Sequence, residues 1–474
     1  MGARLIQVLG TNSDAGKSTI AMCLCRYLSD KGYRVAPFKS VNMSLNSISI
    51  EGGYEIARAQ WVQAKAARTD PLKEMNPFLL KPEGNGRSQV IQNGLSLGSM
   101  SYEQYSQHLA ANAPRVIRGA LEYLLSNFDL VVAEGAGSPA EINLAEKDFA
   151  NSFVSGLYNA PSILVADIDR GGVFASIYGT IKLMTRSDLV KGVVINKMRG
   201  DKEILKPGIL KIEELTGKRI IGVMPYLDNV LPGEDSLNYS NPKVNSSEIA
   251  VISYPHMENY SDIDPLYAAG IGITMARRRA DISDDVKVII LPGSKDVESD
   301  LKYLFTTGLA DKIISSARKG VKILGICGGY QMLGTRIRDE KGVEMRSGEM
   351  HGIGLIPCET TYSDRKTVRP VKYRTLVDKD TGEHLGYEIH YGEVSGKADP
   401  LNQSELGPEG SVLGNVMGTN IHGILENPIF LRYLTGISIS EDFRAVLEKN
   451  IEHMTEAFIE SVDVRFIDEI LNGR

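Results

Sequence analysis

Across the first 225 residues, short apolar runs alternate with stretches whose apolar positions recur at three- and four-residue spacing. The runs RLIQVLG (4–10), YRVAPFK (33–39), DLVVAEG (129–135), SILVADID (162–169), GVVINKM (192–198) and IIGVMP (220–225) predict strands. After the first, STIAMCLCRYLSDKG sets Ile20, Ala21, Leu24, Tyr27 and Leu28 on one helical face. This alternation predicts an α/β fold with a mostly parallel sheet covered on both sides. Residues 226–247 are rich in Pro, Gly, Asn and Ser, lack periodicity, and predict a linker. A second series follows: EIAVISYP (248–255), KVIILPG (287–293), VKILGIC (321–327), GIGLIPC (352–358) and the region around NIHG. Residues 440–474 predict a helical tail, with Phe443, Val446, Leu447, Ile451, Met454, Phe458 and Ile459 at helical spacing. The expected division is one α/β domain over 1–225, a linker over 226–247, a second α/β domain over 248–440 and a tail over 441–474.

Length agrees with more than one core: 474 residues exceed what a single hydrophobic centre usually organises. A formal charge of −6 argues against a general nucleic-acid binder. Four cysteines are too few for a disulfide framework and fit a reducing cytoplasm. No apolar run reaches bilayer length, and the N-terminus lacks a signal peptide's basic flank, so no membrane partner is expected.

Two motifs carry chemistry. In GTNSDAGKST (10–19), Gly10 ends a predicted strand and Gly16-Lys17-Ser18-Thr19 opens a helix. Glycine lets backbone N–H groups converge on phosphate oxygens, and the helix N-terminus adds partial positive charge. Lys17 would reach the β- and γ-phosphates of ATP, and Ser18 would offer its hydroxyl to Mg²⁺. Thr11, Gly16, Lys17, Ser18 and Thr19 are therefore the candidate nucleotide contacts, with Asn196 at a later strand end as a purine reader. Glu134 and Asp167, at the carboxyl ends of strands, are the candidate metal carboxylates beside Ser18. Asp169, at the end of the same strand as Asp167, is left open between a further metal carboxylate and a helix cap or loop salt bridge. Cys23 and Cys25, on the helix after the loop, read as buried packing.

The second motif is Gly-Ile-Cys327-Gly-Gly-Tyr-Gln (325–331), a strand, a glycine-lined turn with a cysteine at its apex, and a helix start. A thiol at a helix N-terminus is favoured as thiolate. The N–H of Gly328 and the Pro292-Gly293-Ser294 turn are candidate oxyanion donors, and Gln331 a glutamine contact. His422 in GTNIHGILEN is the candidate base. His390 reads as packing or substrate contact and Cys358 as core.

The segments PFKSVNMSLNS (37–47), VAEGAGSPAEINL (132–144), VADIDRGGVFAS (165–176), VINKMRGD (194–201), LPGSKDV (291–297), GICGGYQMLG (325–334) and GYEIHYGE (386–393) carry a resemblance across most of the chain. The second half resembles a class I, triad-type glutamine amidotransferase. The first resembles the P-loop ATP-binding domain of dethiobiotin synthetase and the cobyrinic acid amidating enzymes. Both halves together resemble the amidating family of cobalamin biosynthesis, in its branch that acts four times. The resemblance implies ATP- and glutamine-dependent amidation of the b, d, e and g carboxylates of adenosylcobyrinic acid a,c-diamide, through an acyl phosphate and ammonia released from glutamine. It implies ATP and Mg²⁺ as cofactors and a corrinoid polycarboxylate as acceptor, with Lys39, Asn42, Asn46, Arg87 and Arg170 as candidate acceptor contacts. The alternatives are the a,c-diamide-forming branch, a partitioning-type ATPase scaffold, and an inert amidotransferase-like module. The wider class places Glu two residues after the histidine. Ile424 stands there instead, so the group orienting His422 is left open between Glu426 and Glu388.

Overall fold

The computed structural model describes residues 4–227 and 248–473 apart from 85, 347, 379 and 440. The expected linker lies outside the described residues except for Tyr226 and Leu227.

The first six apolar runs form one parallel sheet. Its order is Arg219–Pro225, Val190–Met198, Ser162–Asp167, Leu5–Gly10, Leu130–Glu134 and Val35–Phe38. The central strands are buried along their whole length, which is why their sequences are continuous apolar runs. Alternate residues serve opposite faces. Ile6, Val8, Val132 and Val165 pack under helix Lys17–Asp30. Leu9, Leu164, Ala166 and Ile195 pack under helices Val173–Leu183 and Lys206–Thr216, and Leu5, Val131 and Ala133 under helix Tyr102–Asn127. The carboxyl ends of these strands gather Gly10, Glu134, Asp167 and Asn196 along one rim.

A mainly antiparallel insertion follows strand Val35–Phe38, and its strand pattern was not anticipated. It holds a four-stranded sheet (Val41–Met43, Phe78–Gly84, Arg87–Gln92, Leu95–Ser101) and the hairpin Ser47–Ile50/Tyr54–Ala57. These strands carry Ser, Asn, Gln, Lys and Glu, so no apolar run marks them.

The second half builds a sheet in the order Thr274–Ala276, Ile249–Ile252, Val288–Leu291, Lys322–Ile326 and Val416–Thr419, all parallel, with Ser411–Leu413 antiparallel at the edge. GIGLIPC is not a strand before Cys358. Ile353 and Leu355 donate backbone N–H bonds to Met332 O (2.7 Å) and Leu333 O (2.9 Å), so this segment docks on a helix end instead of a sheet. The long hairpin Cys358–Thr375/His384–Gly396 likewise goes unmarked, because buried and exposed residues alternate along it.

The tail does form helices, Phe443–Ser461 and Val464–Leu471, but it belongs to the first layer. Leu447, Ile451, Met454 and Phe458 join the cluster of Ile20, Cys23 and Leu24. Cys23 Sγ donates to Met454 O (3.4 Å), Arg26 pairs with Glu448 (2.5 Å), and Asp463 N bonds Ile221 O (2.7 Å). Each fully buried apolar side chain here contributes roughly 1.5–3 kcal/mol before the entropy of ordering the helix. Val446 is half-buried and Ile459 faces solvent.

Candidate functional site

At the phosphate loop, Asp14 and Gly16 both adopt positive φ (63° and 99°), turning successive amides inward before helix Lys17–Asp30 begins. A side chain at Gly16 would collide with Asn196, whose amide donates to Ala15 O (3.0 Å). Asn196 therefore buttresses the loop. The Lys17 ammonium lies across the loop, donating to Asn12 O (2.9 Å) and Gly137 O (3.1 Å). Thr11 Oγ1 donates to Asn12 Oδ1 (2.8 Å), and Thr19 sits in the helix's first turn.

Glu134 is the polar centre of this end. Its Oε1 accepts from Ser18 Oγ (2.7 Å) and Lys39 Nζ (2.9 Å), and its Oε2 from Gln63 Nε2 (2.6 Å). Two of the three candidate metal-binding groups thus meet. Asp167 flanks the loop from the neighbouring strand, where Oδ2 pairs with Lys197 (3.0 Å) and Oδ1 accepts from Asp169 N (2.7 Å). Asp169 pairs with Arg199 (2.6 Å), as a loop salt bridge.

A cavity of about 340 Å³ opens beside Lys17, lined also by Lys39, Asn42, Leu45, Gly137 and Tyr260. Of the candidate acceptor contacts, Lys39 and Asn42 face it. Asn42 donates to Gln60 Oε1 (2.8 Å). Arg170 stands at the exposed loop rim, paired with Asp14 (2.7 Å). Asn46 is buried, and its carbonyl accepts from Arg58 N (2.9 Å). Arg87 is placed elsewhere. Its strand carries it to a second cleft with Lys295, Asp296 and Glu344, because the insertion folds over the other half.

The thiol end is an elbow. Cys327 has φ 51° and ψ −111°, a backbone that a non-glycine residue adopts only when the surroundings hold it, and helix Gly328–Leu333 starts immediately after. The flanking glycines permit close backbone approach. A Cβ on Gly328 would meet Ser294 N at 2.7 Å, and one on Gly329 would run into the Leu291 carbonyl. Gly293 and Ser294 are thus pressed against the elbow, and Ser294 Oγ donates to Asp300 Oδ2 (2.6 Å). Gln331 lines a small cavity at the thiol together with Ser294, Cys327 and Gly328, and its side-chain oxygen accepts from Tyr362 OH (2.7 Å).

His422 stands beside the thiol, buried, with Tyr387 stacked on its ring at 5.1 Å. Its orienting partner is Asp262, which sequence spacing did not suggest. Asp262 Oδ2 accepts from Nδ1 at 2.7 Å, and Oδ1 accepts from Gly423 N at 2.8 Å. Burial alone would lower the basicity of His422. The charge and hydrogen bond of Asp262 outweigh that and raise it above the usual imidazole value. Glu426 turns instead to Arg58 (3.3 Å) and Arg444 (3.6 Å), and Glu388 to Arg369 (2.5 Å), so neither orients His422. His390 lines the thiol cavity, bonds Gly392 O (2.8 Å), and is pushed down to about 4 by burial. Burial raises the thiols of Cys23, Cys25 and Cys358.

The two ends share a wall of buried charges. Lys81 of the insertion pairs with Glu55 (2.9 Å) and with Glu258 of the second half. Lys366 reaches back to Glu55 (2.7 Å), and Lys295 meets Glu344 (2.7 Å) and Glu83 (3.2 Å). Burial would raise Glu55, but Lys366 and Lys81 hold it below the usual carboxylate range. Glu258 lines the thiol cavity and Tyr260 the phosphate-side cavity. Two residues of chain span at most about 7 Å, so the cavities share one wall. The sequence signal was faint: HMENYSDID (256–264), a polar run between apolar strands, proves almost wholly buried. Among the described residues, no group of three or more His, Cys, Asp or Glu is arranged to hold a metal ion by itself. Among the described residues, no helix is long and apolar enough to cross a membrane either.

Residues 6–237 match the profile of the CobQ/CobB/MinD/ParA nucleotide-binding domain. Residues 248–430 match the CobB/CobQ-like glutamine amidotransferase domain. The chain is 53% identical to the probable cobyric acid synthase of Picrophilus torridus, covering 99% of each chain. It is 52% identical to that of Thermoplasma acidophilum over 99% of this chain and 100% of the relative. Identity to that of Methanothermobacter thermautotrophicus is 43% over the full length of both.

Proposed function

The chain belongs to the cobyric acid synthase family, and from that premise we propose how its two ends divide the reaction. It is a glutamine-hydrolysing, amide-forming ligase of cobalamin biosynthesis, with a nucleotide-binding half and an amidotransferase half. The acceptor in this reading is adenosylcobyrinic acid a,c-diamide, amidated at b, d, e and g to cobyric acid in the cytoplasm.

A carboxylate does not exchange its oxygen for nitrogen at neutral pH, because oxide is too poor a leaving group. ATP removes that obstacle. An acceptor carboxylate in the cavity beside Lys17 attacks the γ-phosphorus, ADP leaves, and an acyl phosphate remains. Lys17 and the inward-turned loop amides offset the growing negative charge. Ser18 and Glu134 fit Mg²⁺, since a hydroxyl and a carboxylate oxygen already stand 2.7 Å apart. When bound, Mg²⁺ would neutralise phosphate charge.

In the other half, the Cys327 sulfur attacks the glutamine carboxamide. The N–H of Gly328 and the Gly293–Ser294 segment receive the oxyanion. His422, held by Asp262, takes the thiol proton and passes it to the departing ammonia. Water then cleaves the thioester to glutamate. Ammonia attacks the acyl phosphate and expels phosphate. The observation that carries this reading is the shared wall, with Glu258 at one cavity and Tyr260 at the other. Mass analysis of the diamide after incubation with ATP and glutamine tests it. Four added amides are expected; an unaltered diamide would overturn the reading.

A further inference from the structure

A buried acceptor in the thiol cavity stands without a donor among the described residues. On strand His384–Gly396, Ile389 O receives the Cys327 thiol (3.6 Å), and the next residue, His390, lines the cavity with Cys327, Ser294 and Gly328. His390 Nδ1 stands 2.8 Å from Gly392 O. A carbonyl oxygen only accepts, so Nδ1 carries the proton and the lone pair of the neutral ring lies on Nε2. That Nε2 is the buried atom with no hydrogen bond among the described residues. Burial pushes the pKa of His390 down to about 4 despite the Glu388 charge, and the nearby His422 adds to the fall. At neutral pH Nε2 is therefore an acceptor and not a donor. An unpaired buried acceptor is costly, which favours a ligand that donates to it.

Three donors come to this cavity during glutamine hydrolysis. The α-ammonium of glutamine is better served by the carboxylates Glu258 and Glu344, which line the same cavity. A group so weakly basic does little for the water that cleaves the thioester. The carboxamide N–H is left, and the chemistry of the leaving nitrogen calls for such a partner. When the Cys327 sulfur bonds to the carboxamide carbon, the nitrogen becomes tetrahedral, with two N–H bonds and one lone pair. The lone pair must face the proton on His422 Nε2 before the C–N bond breaks and ammonia departs with that proton. An acceptor that takes one N–H fixes this rotation, and it neither gains nor loses a proton itself. Glutamate, the product, presents carboxylate oxygens without a donor, so the same lone pair repels it.

We infer that His390 selects a carboxamide at the thiol: its Nε2 accepts one N–H of glutamine and turns the leaving nitrogen toward His422. The inference rests on the glutamine-hydrolysing reading above and on nothing about the corrinoid.

The test compares two substrates of the full chain. One is glutamine. The other is the γ-methyl ester of glutamate, which passes through the same thioester but brings no N–H to the cavity. His390→Asn keeps a donor near the Nδ1 position for Gly392 O and removes Nε2. Its kcat/KM for glutamine should fall about tenfold, the usual scale of one buried hydrogen bond, while that for the ester should move by no more than about twofold. His390→Gln, whose side-chain carbonyl reaches the Nε2 position, should bring glutamine use back to within about threefold of wild type. An equal fall in kcat/KM for both substrates, in variants that melt like wild type, would reduce His390 to packing and overturn the inference. An unchanged glutamine-to-ester ratio would overturn it too, as would a fall in kcat alone for both, which assigns His390 to the hydrolytic water. Ester cleavage that survives Cys327→Ser would instead sink the thiol reading, whatever His390 does.

Discussion

The phosphate loop and the thiol elbow place their working groups in opposite ways. The first is local. Ten consecutive residues, GTNSDAGKST, provide the turn, the inward amides, the lysine and the hydroxyl, and the rim carboxylates sit one per strand. The second is assembled at a distance. Asp262 and His422 are 160 residues apart in the chain, and Gly293 and Cys327 come from two further strands. A local site draws its geometry from a strand–turn–helix unit and is carried by backbone. An assembled site depends on side chains whose positions the whole fold must agree on. The first should therefore fail chemically when one side chain is lost, and the second should also respond to groups that never touch glutamine.

The sharpest separation is Cys327→Ser. Glutamine-supported amidation should fall by about a thousandfold or more, while ammonium salts still support turnover. Equal loss of both would erase the division between the ends. Lys17→Met should do the converse, lowering amidation from either nitrogen source by about a hundredfold or more, with glutamine hydrolysis still detectable as glutamate. Asp262→Asn tests the assembled character of the thiol site. The wrong tautomer of His422 should lower kcat for glutamine by about 10² to 10⁴, and a change under twofold would return the orienting role to another group. Lys81→Met probes the wall between the ends. It leaves Glu55 and Glu258 buried with one fewer cation, which should cost about 3–5 kcal/mol in denaturant unfolding. The smallest effect concerns His256, whose Nδ1 meets Asp300 at 2.9 Å behind Ser294. The hydrogen bond to Asp300 raises its pKa above the ordinary 6.5. Because the folded value is the higher one, the pair's stabilisation is complete below pH 6.5 and is lost as pH rises from there through the higher folded value. Melting temperatures should drift down over that rise by the equivalent of about 1 kcal/mol or less, and His256→Gln should flatten the drift.

The same contrast explains what the sequence disclosed. The parallel-sheet strands were legible because burial on both faces demands unbroken apolar runs, as in LIQVLG and SILVAD. The loop and the elbow were legible because their constraints lie within one turn of chain. The insertion strands and the hairpin Cys358–Thr375/His384–Gly396 were not, since one face of each carries polar residues that pair across an interface. Lys81, Glu55 and Lys366 belong to no motif, and only the fold reveals them as mutually neutralising interior groups. Asp262 had no spacing to announce it, because its partner His422 lies 160 residues further along the chain. Glu426 drew attention by its nearness in sequence to His422, and the turn at Gly423 sends it the other way, toward Arg58.

The closing helix, Phe443–Ser461, has a consequence for synthesis on the ribosome. Its side chains at Leu447, Ile451, Met454 and Phe458 cover Ile20, Cys23 and Leu24, which are translated more than four hundred residues earlier. The nucleotide half therefore emerges with an oily flank uncovered and waits for the entire amidotransferase half before it can be sealed. Cutting the gene between the halves would not yield two self-sufficient proteins, because the last piece of the first one is encoded after the second.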